Sequence, residues 1–254
     1  MSTYTFDYDR PPSHQGSATA TRRFRARLAE ARARAILFTD RSGPGVYYFD
    51  LRTRYPVAAR VKRALDVLFA RAVIIVVSPL LLLIAALVWF TSPGPILFRQ
   101  RRIGFRCNQF NMFKFRTMID GAQLMEKELL EKTGRSFLKL ENDPRITPIG
   151  RFLRKYSMDE LPQLFNVLNG SMSIVGPRPL LLFDLDKLPR RSPLSRFSMP
   201  PGITGLWQVS GRSACSDGRR MRLDRQYVNR WSLGLDFQIL LRTVWIVLTG
   251  RNAV

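Results

Sequence analysis

Residues 72–90 read AVIIVVSPLLLLIAALVWF, and this uncharged stretch decides how the chain is organised. At a rise of about 1.5 Å per residue, a helix of this length just reaches across the roughly 30 Å hydrocarbon core of a bilayer. The stretch begins too far from Met1 for a signal peptide. It therefore predicts a membrane helix.

The flanks of this stretch are both strongly basic, with six Lys and Arg residues over 52–71 and four over 91–106. Because basic flanks stay in the cytoplasm, a re-entrant helix suits them better than a single crossing. Ser78 and Pro79 lie near the middle, where proline removes a helical hydrogen bond and serine can bond a freed carbonyl. We therefore predict a re-entrant broken helix over 62–91. A kinked transmembrane helix and a buried core helix are the alternatives.

The charge of the chain predicts an anionic partner. Its 254 residues carry a net charge of +22, with a pI near 11.3, which suits nucleic acid, a lipid surface or a phosphorylated substrate. Most of the basic residues are Arg, a composition that favours bidentate phosphate binding and that a GC-rich genome also produces. One histidine and two cysteines are too few for a zinc site or a disulfide framework.

The composition and the positions of Gly and Pro residues divide the chain into two expected regions. Residues 1–59 form a basic N-terminal extension, partly disordered, with a plausible helix over 21–34; it could bind anionic lipid, remain solvated or act as a transit peptide. Residues 60–254 form the second region. Its apolar stretch 235–250 is too short to span a bilayer and predicts an interfacial or core helix.

Shorter elements are predicted between these segments. Runs at 96–99 and 110–116 predict two strands, and alternation places Lys114 and Arg116 on one face of the second. Residues 121–132 predict a surface helix, and Thr147 followed by Pro148 predicts the start of a short one.

Residues 157–168, SMDELPQLFNVL, are the most informative run. Apolar residues at positions 161, 164, 165 and 168 predict one helix with a buried face, opposite a polar stripe of Asp159, Gln163 and Asn166. Ser157 and Glu160 also match a capping box, which gives the acids a purely structural alternative. Pro162 and the surrounding arginines favour instead an anionic ligand, a carboxylate nucleophile and a metal-binding carboxylate. At the positive end of a helix, Asp159 is expected to be anionic at neutral pH.

Two Gly/Pro loops follow this run. GPRP at 176–179 fixes Arg178 in a rigid turn, and PPGITG at 200–205 leads into LWQVSGR, which contains Trp207 and Arg212. We expect the glycines to allow close approach of the backbone to a phosphate, and Trp207 to stack on a base or sugar or to lie at the membrane interface.

Seven motifs in this order resemble the bacterial sugar transferases, monotopic polyprenyl-phosphate phosphoglycosyl transferases that initiate exopolysaccharide and glycan synthesis. They are KRxxD from Lys62, the Ser-Pro membrane helix, SPGP, KFRTM, SMDELPQLFNVL, MSIVGPRP and PGITGLWQVSGR. The resemblance covers about residues 60–250. It implies an α+β, mainly helical monotopic membrane protein with a re-entrant broken helix, a small β-hairpin and interfacial amphipathic helices.

The resemblance also implies an activity: transfer of a sugar 1-phosphate from a UDP-sugar to polyprenyl (undecaprenyl) phosphate, with release of UMP. Asp159 and Glu160 match the family's catalytic dyad, which works with Mg²⁺ held by Glu160. The expected location is the cytoplasmic face of the bacterial inner membrane. The protein is expected to contact anionic lipid and not to bind nucleic acid, and a homodimer is compatible with the sequence. The predicted substrate-binding residues are Lys114, Arg116, Arg154, Gln163, Asn166, Arg178, Trp207 and Arg212. The rival hypothesis is a non-catalytic basic protein that binds a membrane surface or nucleic acid.

Overall fold

The computed structural model describes residues 51, 55–122, 125, 143–181, 194–211 and 217–249. Nearly all of the predicted extension 1–59, most of the predicted surface helix 121–132, and Arg212 lie outside the described residues. The described part is mainly helical, with one small antiparallel hairpin and one long apolar helix.

The long helix, α1, spans Pro56–Thr91 and begins with proline in its first turn, where a missing N–H costs nothing. It is long and apolar enough to cross a membrane by length and composition. Ser78 Oγ donates a 2.9 Å hydrogen bond to the carbonyl of Ile75, four residues before Pro79. This carbonyl is the one that the missing N–H of Pro79 leaves without its helical donor.

The predicted serine hydrogen bond is therefore confirmed, but the predicted interruption of the helix is wrong. The helix continues through Pro79 to Thr91, because the hydroxyl of Ser78 replaces the lost donor within the helix itself. The N-terminal boundary also lies earlier than predicted, at Pro56 rather than at residue 62.

The predicted hairpin is confirmed. Strand β1 spans Leu97–Ile103 and pairs antiparallel with β2, Gln109–Phe115, so that β1 extends four residues beyond the prediction. The short helix α2, Pro148–Lys155, begins as predicted, with Thr147 accepting a 2.9 Å hydrogen bond from the backbone N–H of Gly150.

The prediction of one helix over 157–168 is wrong. Met158–Glu160 form a single 3-10 turn, and the α-helix α3 begins only at Gln163 and ends at Leu168. The proline at position 162, which has no N–H to donate, lies at the junction. The polar stripe is also wrong, since Gln163 and Asn166 are buried whereas Phe165 is 45% exposed.

A second sheet, which the sequence analysis did not predict, joins the two Gly/Pro loops. Strand β3, Ser173–Val175, runs parallel to β4, Gly202–Thr204. A Cβ added at Gly202 would lie 2.1 Å from the backbone nitrogen of Gly176, and one added at Gly205 would lie 2.3 Å from its carbonyl oxygen. These glycines thus permit close contact between chain segments, a role that the sequence alone did not indicate.

Three helices complete the described fold: α4 at Leu206–Val209, α5 at Asp217–Asn229 and α6 at Leu233–Thr249. Helix α6 confirms that the second apolar stretch is helical. Its outer side exposes Phe237, Leu241, Val244 and Trp245, which recur every three or four residues along one face.

The N-terminal half of α1 is fixed to the rest of the fold by polar side chains of the KRxxD motif. Lys62 Nζ lies 2.7 Å from Asp236 Oδ2 of α6. Arg63 donates to the last carbonyls of α3, including a 2.6 Å bond to that of Val167. Asp66 accepts hydrogen bonds from β3, which secures the helix to the second sheet.

The C-terminal half of α1 packs on the same body through apolar contacts. Ile84 and Val88 are buried in a cluster with Phe115 of β2 and Leu153 of α2. Between the two attached halves, α1 exposes large apolar side chains such as Ile75, which is 73% exposed. The helix is therefore attached at both halves and leaves an apolar face uncovered.

Candidate active site

A cavity of about 990 Å³ lies between the hairpin, the 3-10 turn and helices α1, α4, α5 and α6. Its lining includes most of the predicted site residues: Lys114, Arg116, Arg154, Asp159, Glu160, Arg178 and Trp207. The side towards α1 is apolar and is formed by Val73, Val77 and Leu80. The cavity thus combines a charged region with an apolar wall from the long helix.

The two acids share one lysine. Strand β2 presents Lys114, whose Nζ lies 2.6 Å from Glu160 Oε1 and 3.6 Å from Asp159 Oδ2. The 3-10 turn makes no side-chain capping hydrogen bond at Ser157, which adopts a left-handed conformation with φ of 55°. The capping-box geometry is therefore absent, and the carboxylates face a cation instead.

Burial dominates the electrostatics of Asp159. The residue is only 8% exposed, and burial raises the pKa of its carboxyl above the ordinary value. Lys114 and Arg154 act in the opposite direction, whereas the charge of Glu160 raises the pKa further. The expectation that a helix terminus makes this carboxyl more acidic is wrong, because its turn has three residues and desolvation outweighs the favourable charges.

Arg154 lies on the same side of the cavity as the acid pair. Its Nε donates a 2.9 Å hydrogen bond to Thr117 Oγ1, which holds the guanidinium in position. Burial lowers the pKa of Arg154, and the negative charge of Asp159 raises it. Even so, a guanidinium remains protonated at any physiological pH, so this residue supplies fixed positive charge next to the carboxylates.

Arg116 touches the cavity, but its guanidinium is engaged elsewhere. Its Nη1 donates a 2.6 Å hydrogen bond to the carbonyl of Pro93, and its Nη2 donates to that of Ser92. Both carbonyls belong to the turn that follows α1. Arg116 thus connects the hairpin to the end of the long helix.

Gln163 and Asn166 are not among the residues that line the cavity. Asn166 Nδ2 donates to the carbonyl of Asn111 at 2.7 Å, and its Oδ1 accepts from the N–H of Phe113 at 2.9 Å. These bonds hold α3 against β2 and thereby fix the strand that carries Lys114.

Arg178 and Trp207 meet on the other side of the cavity. The guanidinium carbon of Arg178 lies 5.3 Å from the indole centroid, within cation–π range. Arg220, which the sequence analysis missed, approaches the same ring at 4.8 Å and also lines the cavity. Arg220 is one of several arginines on α5, and nothing in the local pattern distinguishes it.

The donor set is compatible with Mg²⁺. This ion uses one or two protein carboxylates together with substrate phosphates, so it does not need a cage of protein ligands. Within the described ranges no group of three or more His, Cys, Asp or Glu residues could hold a metal, but Asp159 and Glu160 offer adjacent carboxylates. The Glu160 side chain is the more accessible, at 24% exposed against 11% for Asp159.

Comparison with known proteins settles the family. The family model described as bacterial sugar transferase matches residues 57–250. The chain belongs to the bacterial sugar transferases. This membership confirms the resemblance that the seven motifs carried.

Several characterised members of the family are similar over most of the chain. The exopolysaccharide production protein ExoY of Rhizobium meliloti is 41% identical over 204 residues, covering 78% of this chain and 90% of the relative. Undecaprenyl-phosphate galactose phosphotransferase of Salmonella typhimurium is 40% identical, covering 76% of this chain and 41% of the relative. UDP-glucose:undecaprenyl-phosphate glucose-1-phosphate transferase of Escherichia coli is 37% identical, covering 73% of this chain and 39% of the relative. The names of the last two relatives specify different sugars, galactose and glucose.

Proposed function

We propose that this protein transfers a sugar 1-phosphate from a UDP-sugar to polyprenyl phosphate and releases UMP, as the first membrane step in the synthesis of an exopolysaccharide or related glycan. The observation that carries the proposal is the pair of Asp159 and Glu160, bridged by Lys114 in a cationic cavity that has an apolar wall. The names of the relatives supply the substrate classes, a UDP-sugar and undecaprenyl phosphate.

The first half-reaction uses Asp159 as nucleophile. Its carboxylate oxygen attacks the β-phosphorus of the UDP-sugar, the bond from that phosphorus to the bridging oxygen breaks, and UMP leaves with the bonding electrons. A carboxylate needs no general base for this step, which suits a site that has no histidine among its described lining residues. Lys114 and Arg154 stabilise the negative charge spread over the phosphoryl oxygens.

The second half-reaction discharges the enzyme. A phosphate oxygen of polyprenyl phosphate attacks the same phosphorus, which forms the lipid diphosphate sugar and returns the Asp159 carboxylate. Glu160 would hold Mg²⁺, which supplies charge neutralisation at the diphosphate when bound. Because UMP leaves and a covalent Asp159 intermediate forms before polyprenyl phosphate reacts, the proposed mechanism is ping-pong.

The arrangement of α1 supports a location on one face of the membrane. The same body contacts Lys62 and Arg63 near one end of the helix and Val88 near the other. These contacts lie about 39 Å apart along a straight helix, so a perpendicular crossing would carry one of them through the bilayer. A continuous α1 that bends at Pro79 and stays in one leaflet would keep both contacts at the cytoplasmic face of the inner membrane, with the apolar stripe of α6 at the interface.

Intact-protein mass spectrometry with UDP-sugar alone tests the mechanism. The wild-type protein should release up to one equivalent of UMP and gain the mass of one phosphosugar on Asp159. Asp159→Asn should form no adduct, whereas Glu160→Gln should form it slowly, with partial rescue by extra Mg²⁺. An adduct mapped to another residue, or sustained turnover by Asp159→Asn, would refute the assignment.

The rival hypothesis and the topology have separate tests. A non-catalytic polyanion-binding protein would bind polyanions in a salt-sensitive manner, independent of Asp159, and would release no UMP. Cysteines introduced beside Arg63 and Arg101 should both be labelled only from the cytoplasmic side by an impermeant reagent. Labelling of one flank from the periplasm would exclude the re-entrant arrangement.

A further inference from the structure

The cavity contains a second cationic group that the proposed chemistry at Asp159 does not use. Arg178, from the loop after β3, and Arg220, from α5, both lie against the indole of Trp207, at 5.3 and 4.8 Å. Two guanidiniums on one ring are held near each other although like charges repel, because each gains a cation–π contact. All three residues line the cavity.

Trp207 also offers an unused hydrogen-bond donor. The residue is only 6% exposed, and its Nε1 atom is buried without an acceptor among the residues that the structure describes. Buried indole N–H groups usually find an acceptor, so this one indicates an acceptor supplied from outside the chain.

A buried ion pair fixes the position of this group. Asp224 is 1% exposed and accepts a 2.6 Å hydrogen bond from Arg196, which donates in addition to the carbonyl of Arg178 at 3.0 Å. Burial raises the pKa of Asp224 to about 6, and the nearby charges of Arg196, Arg178 and Arg220 oppose that rise. Arg196, Arg178 and Arg220 thus all stabilise the Asp224 carboxylate.

We propose that Arg220 is a further substrate-binding residue. Together with Arg178 and Trp207, two residues already expected to bind substrate, it forms a phosphate subsite separate from the cations around Asp159. The inference rests on the proposed function, in which both substrates carry phosphate: the nucleotide has one beyond the phosphorus that is attacked, and the lipid has its own. Guanidiniums bind phosphate oxygens bidentately, and the indole N–H donates to the same anion.

Arg220→Gln tests the subsite, with Arg222→Gln as the matched control. Arg222 lies two residues along the same helix and is exposed outside the cavity, so its substitution removes the same charge without touching the group. Three quantities are measured on the full-length protein in detergent: the Kd for UDP, the rate of the UMP burst, and the rate at which polyprenyl phosphate discharges the adduct.

The pattern of losses identifies the source of the phosphate. If the subsite takes the nucleotide phosphate, Arg220→Gln should weaken UDP binding and slow the burst by about tenfold or more, with normal discharge. If it takes the lipid phosphate, discharge should require about tenfold more polyprenyl phosphate, with normal UDP binding. Values within twofold of Arg222→Gln in all three assays would overturn the proposal.

Two further measurements keep the test decisive. Thermal unfolding shows whether Arg220→Gln folds. If it does not, Arg220→Lys is compared with Arg222→Lys in the same assays and against the same thresholds, since lysine retains the charge but loses the bidentate geometry. Measuring the Kd for UDP requires no catalysis, so this value can be obtained even if the wild-type protein releases no UMP. In that event the proposed function fails, and the Kd for polyprenyl phosphate is measured as well. Values equal to those of the control for both UDP and polyprenyl phosphate overturn the subsite.

Discussion

Lys114→Met should move the acid side of the pH–rate profile to higher pH. In the proposed mechanism Asp159 attacks as a carboxylate, so activity is expected to fall when the carboxyl becomes protonated. Burial already raises the pKa of this carboxyl, and Lys114 is the largest influence that opposes the rise. Without the lysine the pKa rises further, and the proton is retained to a higher pH. Methionine is also unbranched and flexible, one atom shorter than lysine, and it removes the charge together with the ammonium donors.

The size of the effect follows from the distance of 3.6 Å between Lys114 Nζ and Asp159 Oδ2. Coulomb's law gives about 4.6 kcal/mol for unit charges at an effective dielectric constant of about 20, and about 1.2 kcal/mol at the value of water. Since about 1.36 kcal/mol corresponds to one pH unit, the midpoint of the acid limb should rise by about one to three pH units.

The assay is the rate of the UMP burst from UDP-sugar between about pH 5 and pH 9, followed by rapid quench, with binding saturated at each pH. Lys155→Met is the matched control: this lysine is exposed at the end of α2 and does not line the cavity. Its profile should match that of the wild-type protein. An acid limb for Lys114→Met that coincides with the wild type, or lies at lower pH, would show that Lys114 does not stabilise the Asp159 carboxylate.

Three further outcomes follow from the fold. Gly202→Ala should destabilise the protein severely, as a loss of thermal stability in detergent, because its Cβ would lie 2.1 Å from a backbone atom. Asp236→Asn should cost about 3–5 kcal/mol in a denaturant titration, since it leaves the buried ammonium of Lys62 without its 2.7 Å partner; a loss below 1 kcal/mol would contradict this. Deletion of residues 1–50 should preserve UMP release while weakening sedimentation with anionic vesicles, and a folded but inactive truncation would contradict it.

The sequence predicts best those elements whose pattern depends on neighbours in the chain. Thr147 before a proline, the alternation in β2 and the uncharged stretch of α1 each reflect local rules of capping, pleating or helix length, and the structure confirms the elements. The position of Lys114 on the charged face of its strand was predictable in the same way. Its two carboxylate partners lie 45 and 46 residues later, so their contact depends on tertiary packing.

The sequence-based prediction fails where a polar side chain forms hydrogen bonds within the fold and not with a ligand. Periodicity places Gln163 and Asn166 opposite the apolar positions, but it cannot distinguish a solvated amide from one that bonds the backbone of β2. The glycines of the Gly/Pro loops show the same ambiguity. A missing side chain allows close approach by any partner, and here the partner is another segment of the chain.

The KRxxD motif shows why ordered motifs and active-site residues need not coincide. Lys62, Arg63 and Asp66 lie in one helical turn, and each bonds a different element: α6, α3 and β3. Replacing any one of them removes hydrogen bonds that hold α1 to the rest of the fold. The change lowers the stability of the protein without altering a residue of the acid pair. These bonds fix the helix whose Val73, Val77 and Leu80 form the apolar wall of the cavity. The motif therefore acts on the site by placing the apolar wall in the same cavity as the acid pair, where the proposed function requires the chain of polyprenyl phosphate to lie.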